Sequence, residues 1–179
     1  SNHLYHSAMR HFLKLIRAKN LLIILLTMVG VAYYLLTTNN YQKVDFHCFD
    51  YGLLIFSTMI IAAAGNVIND YFDVKADRIN KPEKVIISKF MKPRWAILWH
   101  WTFNLIAFLI AIYLSVKYDT FLFVFVHLLS INLLWFYSVQ LKKKLIVSNL
   151  IIALLTALVP LLAVGFFKTL NETNLPYSP

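Results

Sequence analysis

Five long apolar runs leave this chain few ways to fold. They cover approximately residues 21–38, 51–74, 95–116, 120–141 and 145–167. Each run is close to the roughly 20 residues with which an α-helix crosses a hydrocarbon core of about 30 Å. Lipid offers the backbone no hydrogen bonds, so only helices or closed β-barrels can cross it, and these runs lack the polar–apolar alternation of barrel strands. We therefore predict an all-α polytopic membrane protein with five transmembrane helices.

The composition argues against a soluble domain. The sequence has 179 residues, of which 60% are hydrophobic, and a soluble domain of this size cannot bury so much apolar surface in one core. Little sequence remains between the runs, so residues 1–179 are predicted to form a single transmembrane domain. The single cysteine, Cys48, excludes an internal disulfide and a cysteine-based metal cluster.

Basic residues are distributed unevenly between the two sides of the membrane. The formal net charge is +9, and most lysines and arginines precede the first run, separate the second from the third, or separate the fourth from the fifth. Alternate connections therefore carry the charge, which is the positive-inside pattern and not the sign of a nucleic-acid partner. This pattern predicts an integral protein of the cytoplasmic (inner) membrane, with the N-terminus and the second and fourth connections in the cytosol.

The second run ends in NDYFDVKAD, a polar stretch that a membrane helix does not need. Asn69, Asp73 and Asp77 are spaced four residues apart. At about 100° per residue they drift only about 40° per step, so they share one helical face. Asn66 falls within the same arc, and Asp70 lies at its edge. The charge pattern places this face at the cytosolic membrane surface.

The carboxylates of this stretch repel one another unless a cation compensates them. Oxygen ligands suit a hard ion such as Mg²⁺, which keeps several waters and is commonly completed by substrate phosphates. The stretch therefore favours a Mg²⁺ site, to which Asn69 adds a neutral oxygen and for which Asp70 is a further candidate ligand. The alternative is a solvated helix end whose aspartates pair with the basic residues that follow them.

Polar and aromatic side chains also lie within the later runs. His100 and Asn104 are one helical turn apart in the third run, and His127 lies in the fourth. Intramembrane polar groups can line a substrate cavity or bridge helices by hydrogen bonds, and we favour the bridging interpretation here. The tryptophans at the start of the third run are typical of an interfacial aromatic belt.

The extended stretch GNVINDYFDVKADRINKP resembles the first aspartate-rich motif, N-x-x-x-D-x-x-x-D, of the UbiA superfamily of intramembrane prenyltransferases. Within that family it is similar to the geranylgeranylglycerol-phosphate geranylgeranyltransferase-like branch. FLKLIRAKNLL resembles the start of the family's first helix. WFYSVQLKKKLIVSNLIIALLTALVP resembles the end of its fourth helix, the basic loop and the fifth helix. The resemblance spans most of the chain.

The resemblance implies a Mg²⁺-dependent prenyltransferase. Enzymes of this family bind a prenyl diphosphate with its tail in a lateral groove between helices. Metal-bound aspartates hold the diphosphate, and an acceptor captures the allylic cation. By this resemblance Asn69, Asp73 and Asp77 are the catalytic residues and carry one Mg²⁺. The resemblance also assigns diphosphate-binding residues, which are Lys142, Lys143, Tyr137, Arg17 and Asn20.

The family implies a larger bundle than these five helices. Its members form a nine-helix bundle with a second motif, D-x-x-x-D, in a later cytosolic loop. Apart from Asp73 and Asp77 themselves, this sequence contains no pair of aspartates with that spacing. We therefore expect residues 1–179 to be an N-terminal portion of a longer prenyltransferase, and we do not expect this portion alone to suffice for activity.

These observations predict transfer of a prenyl group from a prenyl diphosphate, with geranylgeranyl diphosphate as the expected donor. The expected acceptor is a lipid such as geranylgeranylglyceryl phosphate, and an aromatic quinone precursor is the alternative for the same chemistry. Two other classes stay open: an ion-binding transporter that uses the carboxylates, and a non-catalytic membrane subunit. The expected partners are the prenyl diphosphate, a hydrophobic acceptor and the lipid bilayer.

Overall fold

The computed structural model describes residues 2–38 and 45–174, which are mostly helical. Within these residues six α-helices follow one another: α1 (Asn2–Leu15), α2 (Ala18–Thr37), α3 (Cys48–Asn80), α4 (Pro93–Lys117), α5 (Leu122–Val139) and α6 (Leu145–Asn174). Short 3-10 helices lie in two of the connections, at Pro82–Lys84 and Leu141–Lys143.

In the described part of the chain, five helices, α2 to α6, are long and apolar enough to cross a membrane. This finding confirms the predicted all-α, five-span membrane fold. The apolar runs do not predict α1, because this amphipathic helix is too polar to appear among them. The structure also extends α3 to Asn80, beyond the predicted end at residue 74, since the first helix breaker is the Lys81–Pro82 pair. The whole acidic stretch is therefore helical.

The central helix of the bundle is α3. It packs against α2, α4 and α5, and 67% of its apolar span is buried, against 33% or less in each of the other four spans. Fully buried alanines lie on α3 and on its main neighbour α4, among them Ala64, Ala107 and Ala111. Small side chains let helices approach closely where lipid provides no hydrophobic drive for association. Groups carried by α3 are therefore held on a closely packed scaffold.

Polar side chains join α3 to its neighbours within the membrane-spanning region. The Nδ1–H of His100 on α4 donates to the Ala64 carbonyl at 3.0 Å. The Nε2 of His127 on α5 lies 2.8 Å from the Ser57 hydroxyl oxygen on α3. Both histidines bridge helices in this way, which agrees with the bridging interpretation.

A buried carboxylate ties α3 to α4 at the end of the bundle opposite the acidic stretch. Asp50 is 1% exposed, and its Oδ2 lies 2.6 Å from the Nζ of Lys117. It accepts hydrogen bonds from the hydroxyl of Tyr113 at 3.1 Å and from that of Tyr118. Burial, followed by the hydrogen bond to Asp50, raises the pKa of Tyr118. The phenol therefore stays protonated and donates a hydrogen bond to the carboxylate.

Replacing this carboxylate should destabilise the bundle. Asp50→Ala leaves the buried Tyr118 hydroxyl without its acceptor, and an unpaired buried polar group costs roughly 1–3 kcal/mol. We expect a lower unfolding temperature in detergent, measured by tryptophan fluorescence. Asp45→Ala removes an exposed carboxylate just before α3 and should leave that temperature unchanged. Equal unfolding temperatures for Asp50→Ala and the wild type would contradict the role given to this carboxylate.

Candidate active site

The acidic stretch occupies the last turns of α3. Because α3 is unbroken to Asn80, Asn69, Asp73 and Asp77 lie on successive turns of one helix face. All three are half-buried, since other segments of the chain flank this face. Those segments are the α1–α2 junction, the segment that follows the first 3-10 helix, and the 3-10 helix between α5 and α6.

Asp73 connects two parts of the site. Its Oδ2 accepts a hydrogen bond of 3.1 Å from the Nδ2 of Asn69, and its Oδ1 forms an ion pair with the Nζ of Lys142. Lys142 lies in the 3-10 helix Leu141–Lys143, and its side chain is only 18% exposed. The fold thus joins a carboxylate and an ammonium that lie 69 positions apart in the sequence.

Asp70 has a different basic partner. Its Oδ1 lies 3.1 Å from the guanidinium of Arg17. Arg17 adopts the left-handed conformation, with φ 54°, between α1 and α2, which is uncommon for a residue other than glycine. The amide of Asn66 secures this junction by donating to the Ile16 carbonyl at 2.9 Å. The side chain that reaches Asp70 is therefore fixed at its backbone by the same helix that carries the carboxylate.

Apolar residues cover the remaining side of the acidic face. Val85 and Ile87 are buried, and together with Ile86 they line a narrow cleft that also contains Asp70 and Asp77. A cover of this kind limits the access of water to the carboxylates and strengthens their interactions with any bound charge.

The available oxygen ligands fit a hard divalent cation that a substrate helps to bind. The Oδ1 of Asn69 is buried and has no hydrogen-bond partner, so a neutral ligand is available beside Asp73. Within residues 2–38 and 45–174, no group of three carboxylate, imidazole or thiol side chains is placed to hold a metal ion by itself. Mg²⁺ is commonly bound by one or two carboxylates and completed by water and phosphate oxygens, which this arrangement allows.

A cavity of about 450 Å³ begins beside the acidic face and runs between α2, α3, α5 and α6. Asn20 and Asn66 line it nearest the acidic face, and Thr58 and His127 line it farther along the bundle. Along α3 its lining runs from Asn66 to Thr58, a length of about 12 Å. Most of the remaining wall is apolar. The cavity can therefore hold an apolar chain whose polar head lies at the acidic face.

The structure brings four of the predicted site residues together in two ion pairs, Asp73 with Lys142 and Asp70 with Arg17. The structure shows no such pairing for the other candidates among the described residues: Asn20 is exposed and lines the cavity, Tyr137 is half-buried in the last turn of α5, and Lys143 is exposed beside Lys142. Sequence reasoning gave no role to Asn66, which both secures the α1–α2 junction and lines the cavity. The sequence feature that could have indicated this role is the position of Asn66 on the same helical arc as Asn69 and Asp73.

The sequence model of the UbiA prenyltransferase family matches residues 23–171 of this chain. The matched region extends from the first turns of α2 to the end of α6 and includes the acidic face and Lys142. It therefore covers most of the bundle as well as most of the candidate site.

The chain is also similar to two proteins named digeranylgeranylglyceryl phosphate synthase. It is 31% identical over 156 residues to the synthase of Methanosarcina barkeri, which covers 84% of this chain and 52% of that protein. It is 39% identical over 99 residues to the synthase of Sulfurisphaera tokodaii, which covers 55% of this chain and 34% of that protein. The chain thus spans about half or less of the length of these relatives.

A solved structure from a study of the biosynthesis of digeranylgeranylglyceryl phosphate synthase in membranes has a similar arrangement of helices. The two superpose with a TM-score of 0.73 at 25% sequence identity. The superposition covers 89% of this chain and 53% of the solved chain, so the similarity again involves about half of a longer protein.

Proposed function

Because the chain belongs to the UbiA prenyltransferase family, we propose that the protein transfers a geranylgeranyl group from its diphosphate to geranylgeranylglyceryl phosphate in a Mg²⁺-dependent reaction. The observation that carries this proposal is the connected group of Asn69, Asp73 and Lys142 beside an apolar cavity. A lipid diphosphate needs both parts, a site with compensating charge for its head and a dry channel for its tail. The similarity to digeranylgeranylglyceryl phosphate synthases supports the choice of acceptor.

The diphosphate would lie between the acidic face of α3 and the basic side chains that flank it. Mg²⁺ held by Asp73, Asp77 and the Asn69 oxygen would neutralise charge on the departing diphosphate. Lys142 and Arg17 approach from two different connections, and an aspartate already holds each of them in place. Basic groups that are ordered before the substrate arrives lose less entropy when they bind the phosphates.

The cavity would hold the prenyl tail and protect the reacting carbon. Ionisation breaks the bond between the first prenyl carbon and the diphosphate oxygen, and the diphosphate leaves with the electron pair. The acceptor hydroxyl oxygen then bonds to that carbon and gives up its proton, which an oxygen of the departed diphosphate can accept. Water would capture the allylic cation unproductively, so an apolar wall that includes Ile61, Leu134 and Leu158 serves to exclude it.

The site would face the cytosol in the cytoplasmic membrane. Five apolar spans and the family make the chain an integral membrane protein, and the positive-inside distribution supports this orientation. The ionic head groups of both substrates would then stay at the cytosolic surface, while their tails enter from the bilayer.

The reaction is tested with the full-length encoded protein in detergent. Labelled geranylgeranyl diphosphate is incubated with Mg²⁺ and either geranylgeranylglyceryl phosphate or an aromatic acid such as hydroxybenzoate, and the products are separated by chromatography. We expect a labelled product with the glyceryl phosphate and none in the presence of a chelator. Product with the aromatic acid alone would favour the quinone-precursor alternative, and no product with either acceptor would contradict the proposal.

A bulky side chain in the cavity should shorten the tail that the site accepts. Ala62 lines the cavity about 10 Å along α3 from Asn69. For Ala62→Phe we expect kcat/KM for geranylgeranyl diphosphate to fall about 10- to 100-fold, because overpacking costs about 1–3 kcal/mol. The shorter geranyl diphosphate should be affected much less. Ala157→Phe, on an exposed position of α6, is the matched control, and equal losses with both donors would contradict this placement of the tail.

A further inference from the structure

A second cavity, of about 480 Å³, lies at the same end of the bundle as the acidic face. We call it the interfacial cavity, and α1, the segment 86–92 and the first turns of α4 line it. Ile86 lines both this cavity and the cleft that contains Asp70 and Asp77. The interfacial cavity is therefore separated from the acidic face by a single segment of chain, and it shares no lining residue with the cavity proposed for the prenyl tail.

Aromatic rings form the walls of the interfacial cavity. Phe12 of α1 packs against Trp99 of α4 with 5.5 Å between ring centroids, and His11 stacks on Phe90 at 3.7 Å. Trp95 and Trp99 lie one turn apart on α4 and are 47% and 38% exposed. Partly exposed tryptophans at the end of a transmembrane helix lie at the level of the lipid head groups. The cavity is thus placed where a lipid head group meets its chains.

The charge around the interfacial cavity is positive. Lys92 lines it, and the Nζ of Lys89 lies 5.5 Å from the ring centroid of Phe90, another lining residue. The segments that supply the lining, residues 8–15 and 85–99, contain lysines and arginines but no aspartate or glutamate. Clusters of this kind attract anionic lipid head groups, and each basic residue contributes about 1 kcal/mol.

We propose that the interfacial cavity binds a membrane lipid that carries a phosphate head group. Lys92 contacts the phosphate, and the first carbons of the lipid chains pack between Phe12, Trp95 and Trp99. The lipid could come from two sources with this shared chemistry, a phosphomonoester like the proposed acceptor or a bulk phosphodiester lipid. Because Ile86 separates the cavity from the acidic face, a bound lipid also supports the segment that covers the carboxylates.

Native mass spectrometry of the full-length protein in detergent tests this proposal. The titrants are phosphatidic acid as the phosphomonoester, phosphatidylglycerol as the phosphodiester and phosphatidylcholine as the zwitterionic reference. We expect the anionic lipids to bind about fivefold more tightly than phosphatidylcholine, the preference that one lysine contributes. Lys92→Gln should remove this preference, whereas Lys19→Gln, an exposed lysine of α2, should keep it.

A stronger preference for phosphatidic acid would identify the acceptor-like source, and equal binding of both anionic lipids would identify bulk lipid. Either result supports the site. Equal affinity for all three lipids, or a preference that survives Lys92→Gln, would overturn it. If Lys92→Gln fails to fold, the fluorescence lost with brominated phosphatidylglycerol is compared between the wild type and Trp99→Phe, and an equal loss would also overturn the site. Neither measurement involves prenyl transfer, so their failure would leave the proposed function untouched.

Discussion

Asp73→Asn should reduce kcat/KM for prenyl transfer by roughly 10³-fold, since loss of one group that stabilises transition-state charge costs about 10²–10³-fold and Asp73 acts through two such groups, the metal and Lys142. Its carboxylate is a proposed metal ligand, and it also holds the Lys142 ammonium. Asp77→Asn removes a proposed ligand only, so we expect a smaller loss of about 10²-fold. The measurement is the initial rate of labelled product formation by full-length protein at saturating acceptor.

The matched control for these variants is Asp119→Asn. Asp119 is exposed at the opposite end of the bundle and has a positive φ of 47°, which asparagine tolerates better than most residues do. Its transfer rate should equal that of the wild type. Binding of Mn²⁺, followed by electron paramagnetic resonance, gives a second readout and should weaken in Asp73→Asn and Asp77→Asn but not in Asp119→Asn. A wild-type rate in both motif variants would remove these aspartates from the proposed site.

Lys142→Met should separate substrate binding from metal binding. The substitution keeps an unbranched apolar stem and removes the ammonium, so the diphosphate loses one stabilising charge and kcat/KM should fall about 10²-fold. The affinity for Mn²⁺ without substrate should instead rise, because the ammonium no longer competes with an incoming cation for the Oδ1 of Asp73. The two measurements together therefore distinguish a diphosphate ligand from a residue that only supports the fold.

Lys144→Met is the matched control for this second experiment. Lys144 follows the same 3-10 helix and is exposed, so its loss should change both the transfer rate and the Mn²⁺ affinity by less than Lys142→Met does. If Lys142→Met lowered the Mn²⁺ affinity, or if the two lysine variants behaved alike, the ion pair with Asp73 would have no part in preparing the site.

Features that depend on local sequence could be predicted. The length and apolar character of each run are enough to predict a helix that spans the bilayer, and α2 to α6 agree with that prediction. The spacing of Asn69 and Asp73 predicts a shared helix face, and their hydrogen bond of 3.1 Å agrees with it. Both inferences need only the repeat of the α-helix and no knowledge of how helices pack.

Contacts between distant segments could not be predicted in the same way. Arg17 and Asp70 lie 53 positions apart, and their contact depends on the left-handed backbone of Arg17 and on the bond from Asn66 to the α1–α2 junction. Helical periodicity contains no information about such a turn. Two partners of Asp50 are even more distant in the sequence, at 63 and 68 positions. The sequence therefore shows only a carboxylate beside an apolar run, and packing of α3 on α4 decides what that carboxylate contacts.

The ion pairs at both ends of α3 also relate the protein to the thickness of its membrane. The helix from Asp50 to Asn69 is about 28 Å long, close to the roughly 30 Å of a typical hydrocarbon core. Lys117 holds one end of this length to α4, and Arg17 and Lys142 hold the other end to neighbouring connections. A central helix fixed at both ends cannot slide to meet a thicker bilayer, so the surrounding lipid must thin to match it, whereas a thinner bilayer can be met by tilting of the whole bundle.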